Sequence, residues 1–138
     1  MKMKIVESDF TVITKDRNQM IDITAQIETA VKETHITNGD VIVFCPHTTA
    51  AITINENADP DVVHDMLMTL DELLPYRRAG YQHCEGNSDA HCKSSLVGAS
   101  EKIILSNGKL RLGTWQGIYF CEFDGPRTRK VFLQIKGQ

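Results

Sequence analysis

The four cysteines, at positions 45, 84, 92 and 121, include no C-x-x-C pair, which excludes a zinc knuckle and a thioredoxin-type redox motif. No apolar run reaches the length of a membrane span. Positive charge is not in excess: the net charge is −3, so bulk electrostatics gives no reason to expect a nucleic-acid partner. G-x-G-x-x-G and Walker patterns are missing, so a phosphate would have to be held by side chains and a metal. There is no G-x-S-x-G elbow, which argues against a serine hydrolase. Repeats and low-complexity segments are absent too. The opening residues MKMKIVESDF lack the apolar core of a secretory signal, and the chain is read as cytoplasmic with its cysteines as free thiols. Cys45 and Cys121 lie in apolar runs as core residues, while Cys84 and Cys92 have no activating partner at a specific spacing.

What is present is an ordinary mixture, 41% hydrophobic and 24% charged over 138 residues, enough for one domain spanning 1–138. Val6, Phe10 and Val12 share a parity and predict an edge strand from Lys4 to Thr14. Asp16-Arg17-Asn18 reads as a turn, and residues 20–23 as a short strand or a lead-in to a helix capped by Thr24 and ended by Asn38-Gly39. Val41, Ile42, Val43 and Phe44 in succession predict a strand buried on both faces. Pro46 breaks that ladder before His47-Thr48-Thr49, and an alternating strand follows from Ala50. Asp59-Pro60-Asp61 is a helix start, with Val63, Met66, Leu67, Leu70 and Leu74 on one face and Pro75 as the stop. Asn107-Gly108 marks a hairpin. Ile118 to Asp124 alternates, Gly125-Pro126 turns the chain, and Arg127, Arg129, Val131, Leu133 and Ile135 share a face of the last strand. Seven or eight strands and three helices without βαβ alternation predict an α+β fold with a mixed or antiparallel sheet, able to close on itself.

Chemistry concentrates between Tyr81 and Gly98, where His83, Glu85, Asp89 and His91 fall within nine residues. Ser88 or Asp89 would cap a short helix ended by Gly98. His91 would then sit in its first turn, where the helix dipole keeps the imidazole neutral. His47, His83 and His91 form the candidate metal set, three imidazoles leaving an open fourth position. Glu85 and Asp89 could orient those rings or act as a base. Glu122 and Asp124 read equally as an acid–base or metal-binding pair, or as a turn residue and a strand carboxylate paired with Arg129. Arg127 and Arg129 suit phosphate recognition, with hydroxyl donors from Thr48 and Thr49, or form an exposed basic hairpin. His64 falls off its helix's apolar face, and Trp115 sits in a glycine-bracketed loop.

Three long blocks, HTTAAITINENADPDV from His47, HCEGNSDAHCKSSLVGAS from His83 and GTWQGIYFCEFDGPRTR from Gly113, resemble the signature blocks of the YjbQ-type family, often labelled secondary thiamine-phosphate synthase. The resemblance covers essentially the whole chain. It implies a compact α+β domain whose mixed, mostly antiparallel sheet curls into a barrel-like core, assembled as a homotrimer. It also implies a weak condensation of a pyrimidine diphosphate with a thiazole phosphate, hence a phosphorylated small-metabolite partner and a divalent metal, zinc or magnesium. Carried over block by block, it implies catalytic roles for Thr48, Thr49, Glu85, Asp89 and Glu122. It gives substrate contacts to Asn87, Trp115, Asp124, Arg127 and Arg129, and the metal to His47, His83 and His91. A non-enzymatic trimer that binds a metabolite or metal is the alternative.

Overall fold

The structure is a computed structural model describing residues 2–138. In chain order the elements are β1 Lys4–Ile13, β2 Gln19–Asp22, α1 Thr24–Thr34, β3 Gly39–Phe44, β4 Ala50–Glu56, α2 Pro60–Leu73, α3 Ser88–Val97, β5 Ser100–Ser106, β6 Lys109–Leu110, β7 Gln116–Glu122 and β8 Thr128–Gly137. One sheet runs β1-β8-β3-β5-β6 and a smaller one β2-β7-β4, and each pairing among them is antiparallel. The larger sheet curls into a half-barrel. Backbone bonds stitch the two sheets at one corner, where the Cys45 amide donates to Ala99 and the Ile52 amide to Gly98. The expected α+β architecture with three helices is the one observed.

Side-chain parity explains how the layers stack. Val131, Leu133 and Ile135 of β8, Val41 and Val43 of β3, and Ile118 and Phe120 of β7 point into one core shared with Ile27 and Val31 of α1. Tyr119, Cys121 and Phe123 point the other way and build a second core with Ala51 and Ala90, against which Val63, Leu67 and Leu70 of α2 pack. Strand β7 is therefore covered on both sides, as its run of buried residues from Gly117 to Glu122 shows. Burial holds the two core thiols protonated, pushed up to about 11 for Cys45 and about 12 for Cys121. All four cysteines are free.

Three expectations shift. Helix α1 stops at Thr34 because His35 takes a left-handed conformation, φ 60°, and ends it four residues before Gly39. Thr24 does not cap α1; its hydroxyl oxygen accepts from the Ile118 amide at 2.9 Å, tying the helix start to β7. Strand β3 is buried on its inner face alone within one chain, since Phe44 on the outer face is 41% exposed. Helix α2 begins as expected: the Asp59 carboxylate accepts from the Asp61 amide at 2.9 Å, with Pro60 in the first turn.

Candidate functional site

Four loops meet at one end of the half-barrel: residues 14–19, 45–49, 74–87 and 123–127. The strand ends beneath them are fixed by a buried ion pair. Arg129 of β8 donates from Nε to Glu122 Oε1 at 2.8 Å and from Nη2 to Glu122 Oε2, joining the larger sheet to the smaller one. Its Nη2 also donates to the Thr49 hydroxyl at 2.8 Å. Glu122 accepts further from the Thr14 hydroxyl at 2.8 Å and from the amides of Phe123 and Asp124 at 3.1 and 3.0 Å. Both charges are out of solvent, Glu122 at 0% and Arg129 at 5% exposure. Burial alone would raise the Glu122 pKa, but the bonds from Arg129, the Asp124 amide and Thr14 outweigh it and hold the carboxylate below its ordinary 4.5. With its acceptor directions filled, Glu122 does not stand as an acid or base. It is a positioning residue for the turn carrying Asp124, Gly125 and Arg127. That turn is tight: a Cβ on Gly125 would lie 2.8 Å from Glu122 Cγ and 2.9 Å from Thr14 Oγ1.

A second buried network supports α3. Asp89, fully buried, accepts from both terminal nitrogens of Arg17 at 2.9 and 3.0 Å and from Lys93 Nζ at 3.1 Å. Lys93, 1% exposed, also donates to Asp71 of α2. Burial again pushes the Asp89 pKa up, and the hydrogen bonds from Arg17 and Lys93 bring it to below its ordinary 3.8. The buried face of α3 is thus Asp89, Ala90, Lys93 and Ser94, with the Ser94 hydroxyl donating to the Ala50 carbonyl at 2.7 Å. This is why so few apolar residues appear in that stretch: the helix docks through charges and hydroxyls. Asn87, rather than Ser88 or Asp89, occupies the N-cap. Its side chain does not cap: Nδ2 donates to Asp124 Oδ2 at 2.8 Å, and the buried Oδ1 has no partner in the chain.

Asp89 and Glu122 are carboxylates whose folded pKa is depressed, so each contributes stability above its unfolded value that is lost as pH falls through the folded one. Thermal melts should be flat from about pH 7 to 5 and drop steeply below about pH 4. Melts that are level or rising below that point would show these carboxylates are not the determinants.

The groups left with open valence are different ones. His83 and His91 lie edge to face with ring centroids 5.5 Å apart, and His83 Nε2 is 3.7 Å from Glu85 Oε1. Thr48 is exposed. Arg127 donates to the Asp124 carbonyl at 2.8 Å and carboxylate at 3.0 Å while remaining half exposed. His47 is turned to the backbone, its Nε2 accepting from the Lys130 amide at 2.9 Å. Burial, then the Arg129 charge, lower its pKa and keep it neutral. Among the described residues, no three His, Cys, Asp or Glu side chains stand together in a way that could hold a metal ion. The candidate metal set is thus divided within one chain, with His83 and His91 together and His47 committed elsewhere. Trp115 also stands apart. It is 63% exposed and precedes β7, whose two ends lie about 20 Å apart, whereas Asp124 follows it. Arg17, Thr14, Lys93 and Asp71 were not singled out by sequence reasoning; the only signal was the polar turn at 16–18, and Arg17's partner is 72 residues away.

A small α+β half-barrel with a polar loop cluster at one end, built on buried ion pairs, is the class defined by this geometry. The chain belongs to the family described as UPF0047 protein YjbQ-like, whose match runs over residues 8–138. The Bacillus subtilis UPF0047 protein YugU is 58% identical over 124 residues, covering 90% of this chain and 94% of that one. A UPF0047 protein of Methanocaldococcus jannaschii is 51% identical, covering 93% and 92%. Among solved structures, a Clostridium acetobutylicum protein described as an uncharacterized conserved member of the same family superposes with a TM-score of 0.90 at 57% identity, over 93% of this chain and 98% of that one. A YbjQ-like protein of unknown function from Sulfolobus solfataricus gives 0.95 at 34% identity, over 99% and 100%. None of the described helices is long and apolar enough to cross a membrane.

Proposed function

We propose that the chain is the subunit of a cytoplasmic enzyme that processes a small phosphorylated metabolite at the 83–91 loop, with His83 and His91 as the reacting pair. The observation carrying this reading is the contrast within the cluster. Asp89, Glu122 and Arg129 are saturated by one another's neighbours, while the two imidazoles stand adjacent, accessible and free of strong partners. Buried charges fully paired are supports, and accessible polar side chains set on a rigid support are where binding and chemistry are placed. The reaction that the family resemblance implies is condensation of a pyrimidine diphosphate with a thiazole phosphate.

Of the divalent ions expected, zinc or magnesium, the two imidazoles of His83 and His91 suit zinc; they would supply two ligands of an incomplete set, and the ion would neutralise charge on a departing diphosphate. The chain's own part is to hold both imidazoles in place, through α3 for His91 and through the 74–87 loop for His83. Asp124, held by the Asn87 amide and by Arg127, would offer its carboxylate as an acceptor to an amino or hydroxyl group of the substrate. The test is a steady-state assay with the pyrimidine diphosphate and thiazole phosphate, run beside elemental analysis of the purified protein. Turnover that needs the metal supports the enzyme. Binding of both compounds with no turnover at any metal supports the alternative, a non-enzymatic metabolite-binding subunit; the saturation of Glu122 and Asp89 favours that second reading, since it removes two of the expected acids.

A homotrimer is part of the same proposal, with the outer face of the larger sheet as the packing surface. Ile42, Phe44 and Phe132 line a concavity of about 420 Å³ there with Glu7, Asp9 and Gln134. Phe44 and Phe132 stack at 6.4 Å while 41% and 45% exposed, and Ile104 is 63% exposed. Apolar side chains grouped on an uncovered sheet face mark an interaction surface. Phe132→Glu should convert the assembly to monomers in sedimentation velocity, with little change in secondary structure by circular dichroism; an unchanged sedimentation coefficient would place the interface elsewhere.

A further inference from the structure

We infer that the concavity walled by residues 76–86 is an anion subsite that holds the phosphate or diphosphate of the ligand. The assignment rests on the reading of His83 as part of the reacting pair. Its volume is about 430 Å³, and its lining includes Tyr76, Arg77, Arg78, Tyr81, His83 and Glu85.

Of the six arginines in the chain, Arg17 is bound to Asp89, Arg127 to Asp124 and Arg129 to Glu122. The two guanidinium groups that sequence reasoning gave to phosphate, Arg127 and Arg129, are therefore already engaged by carboxylates. Arg77 and Arg78 form no ion pair among the described residues, and both face this concavity. Arg111 follows the short β6 strand and does not line it. Two unpaired guanidinium groups against one carboxylate, Glu85, leave the hollow net positive before His83 is counted. Planar five-donor forks in that number match phosphate oxygens.

The walls are not a loose surface loop. Arg17, locked onto Asp89, lies 3.9 Å above the Tyr76 ring, and Arg77 lies 5.0 Å from the same ring. The aromatic wall is thereby pinned to the base of α3. The Tyr81 amide donates to the Arg78 carbonyl at 3.3 Å and the Gly86 amide to the His83 carbonyl at 3.2 Å, closing the loop into two turns. The Tyr81 hydroxyl is buried and has no partner in the chain, a donor left free in the wall of a positive hollow. His83 lines the hollow and also stacks on His91, so the subsite opens directly onto the reacting pair. A phosphate group seated on Arg77 and Arg78 would place the adjoining ester bond toward the imidazoles.

The test is titration calorimetry of the full chain with inorganic pyrophosphate at low ionic strength. Arg77 and Arg78 are exposed, so Arg77→Ala/Arg78→Ala leaves the fold intact. That variant should bind pyrophosphate about tenfold or more weakly, and Arg111→Ala, at a residue that does not line the hollow, should stay within about twofold of the unaltered protein. Tyr81→Phe should weaken binding in the same direction by a smaller factor. The subsite is overturned if the double variant binds as the unaltered protein does, if Arg111→Ala loses as much affinity as the double variant, or if citrate binds as tightly as pyrophosphate. Arginine-dependent binding together with full turnover in His83→Ala/His91→Ala overturns the reacting pair and leaves the subsite standing.

Discussion

Arg129→Met should cost about 3–5 kcal/mol of folding stability, the range seen when one partner of a buried pair is removed. The physical reason is what the substitution leaves behind. Glu122 would keep its desolvated charge among Thr14 and two amides with no cation to oppose it, or take up a proton that its neighbours do not favour. Thr49 would lose its donor as well. For a domain of this size the loss should lower the melting temperature by about 10 °C or more. The companion change Glu122→Leu in the same chain should recover part of it, because an apolar pair of similar volume carries no stranded charge. Single and double variants with equal melting temperatures would show that the pair contributes nothing as a pair. Catalysis should fail in Arg129→Met even below its melting point, since Asp124, Asn87 and Arg127 hang from the turn that Glu122 holds.

The second large effect concerns His83 and His91. His83→Ala/His91→Ala should reduce turnover by about 10²-fold or more, as expected when the two imidazole ligands of a divalent ion are lost, and should remove that ion from the protein. Stability should move by less than about 1 kcal/mol, because His83 is exposed and His91 only half-buried. That separation from Arg129→Met is the diagnostic: one substitution should lower activity through the fold, the other with the fold intact. His47→Ala should behave differently again. Its Nε2 holds the Lys130 amide, so its removal frees a backbone donor at the start of β8 and should affect stability before chemistry. Turnover unchanged in the double histidine variant would move the reacting groups away from the 83–91 loop.

Much of this architecture could be read from short-range pattern. The cap and proline at Asp59 and Pro60 start α2 where expected, and Asn107 and Gly108 turn the β5–β6 hairpin with φ 52° and 75°. The alternation from Ile118 to Phe123 separates the two cores correctly. The site was legible as residue types and less so as roles. Glu122 and Arg129 were recognised as a possible pair, but on one sheet; they bridge two, because β7 and β8 are successive strands that never hydrogen-bond to each other. Arg127 and Arg129 share a parity, yet Arg127 lies before β8 begins, where strand periodicity no longer governs which way a side chain points. Arg17 looked like a turn residue because its meaning depends on Asp89, and no local rule reaches across that separation. Arg77 and Arg78 looked like a linker for the same reason: that they form no ion pair among the described residues is something only a three-dimensional arrangement reveals. Trp115 stood in the same sequence block as Glu122 and Asp124, and one strand's length carries it to the opposite end of the sheet.

The position of β8 in the larger sheet fixes the order in which the molecule can assemble. This strand is the last element in chain order, and it lies between β1 and β3, pairing along ten residues with the first and six with the second. A ribosome delivering the chain from its amino end therefore produces β1 and β3 long before the strand that joins them. Until then the apolar edge of β3 and the single ribbon of β1 have no neighbour on that side, and the contact that completes the sheet spans almost the whole chain. Closing so distant a pair is slow and exposes strand edges meanwhile. The larger sheet should accordingly close only once β8 has been made, with chains truncated before Thr128 held by chaperones or lost to aggregation.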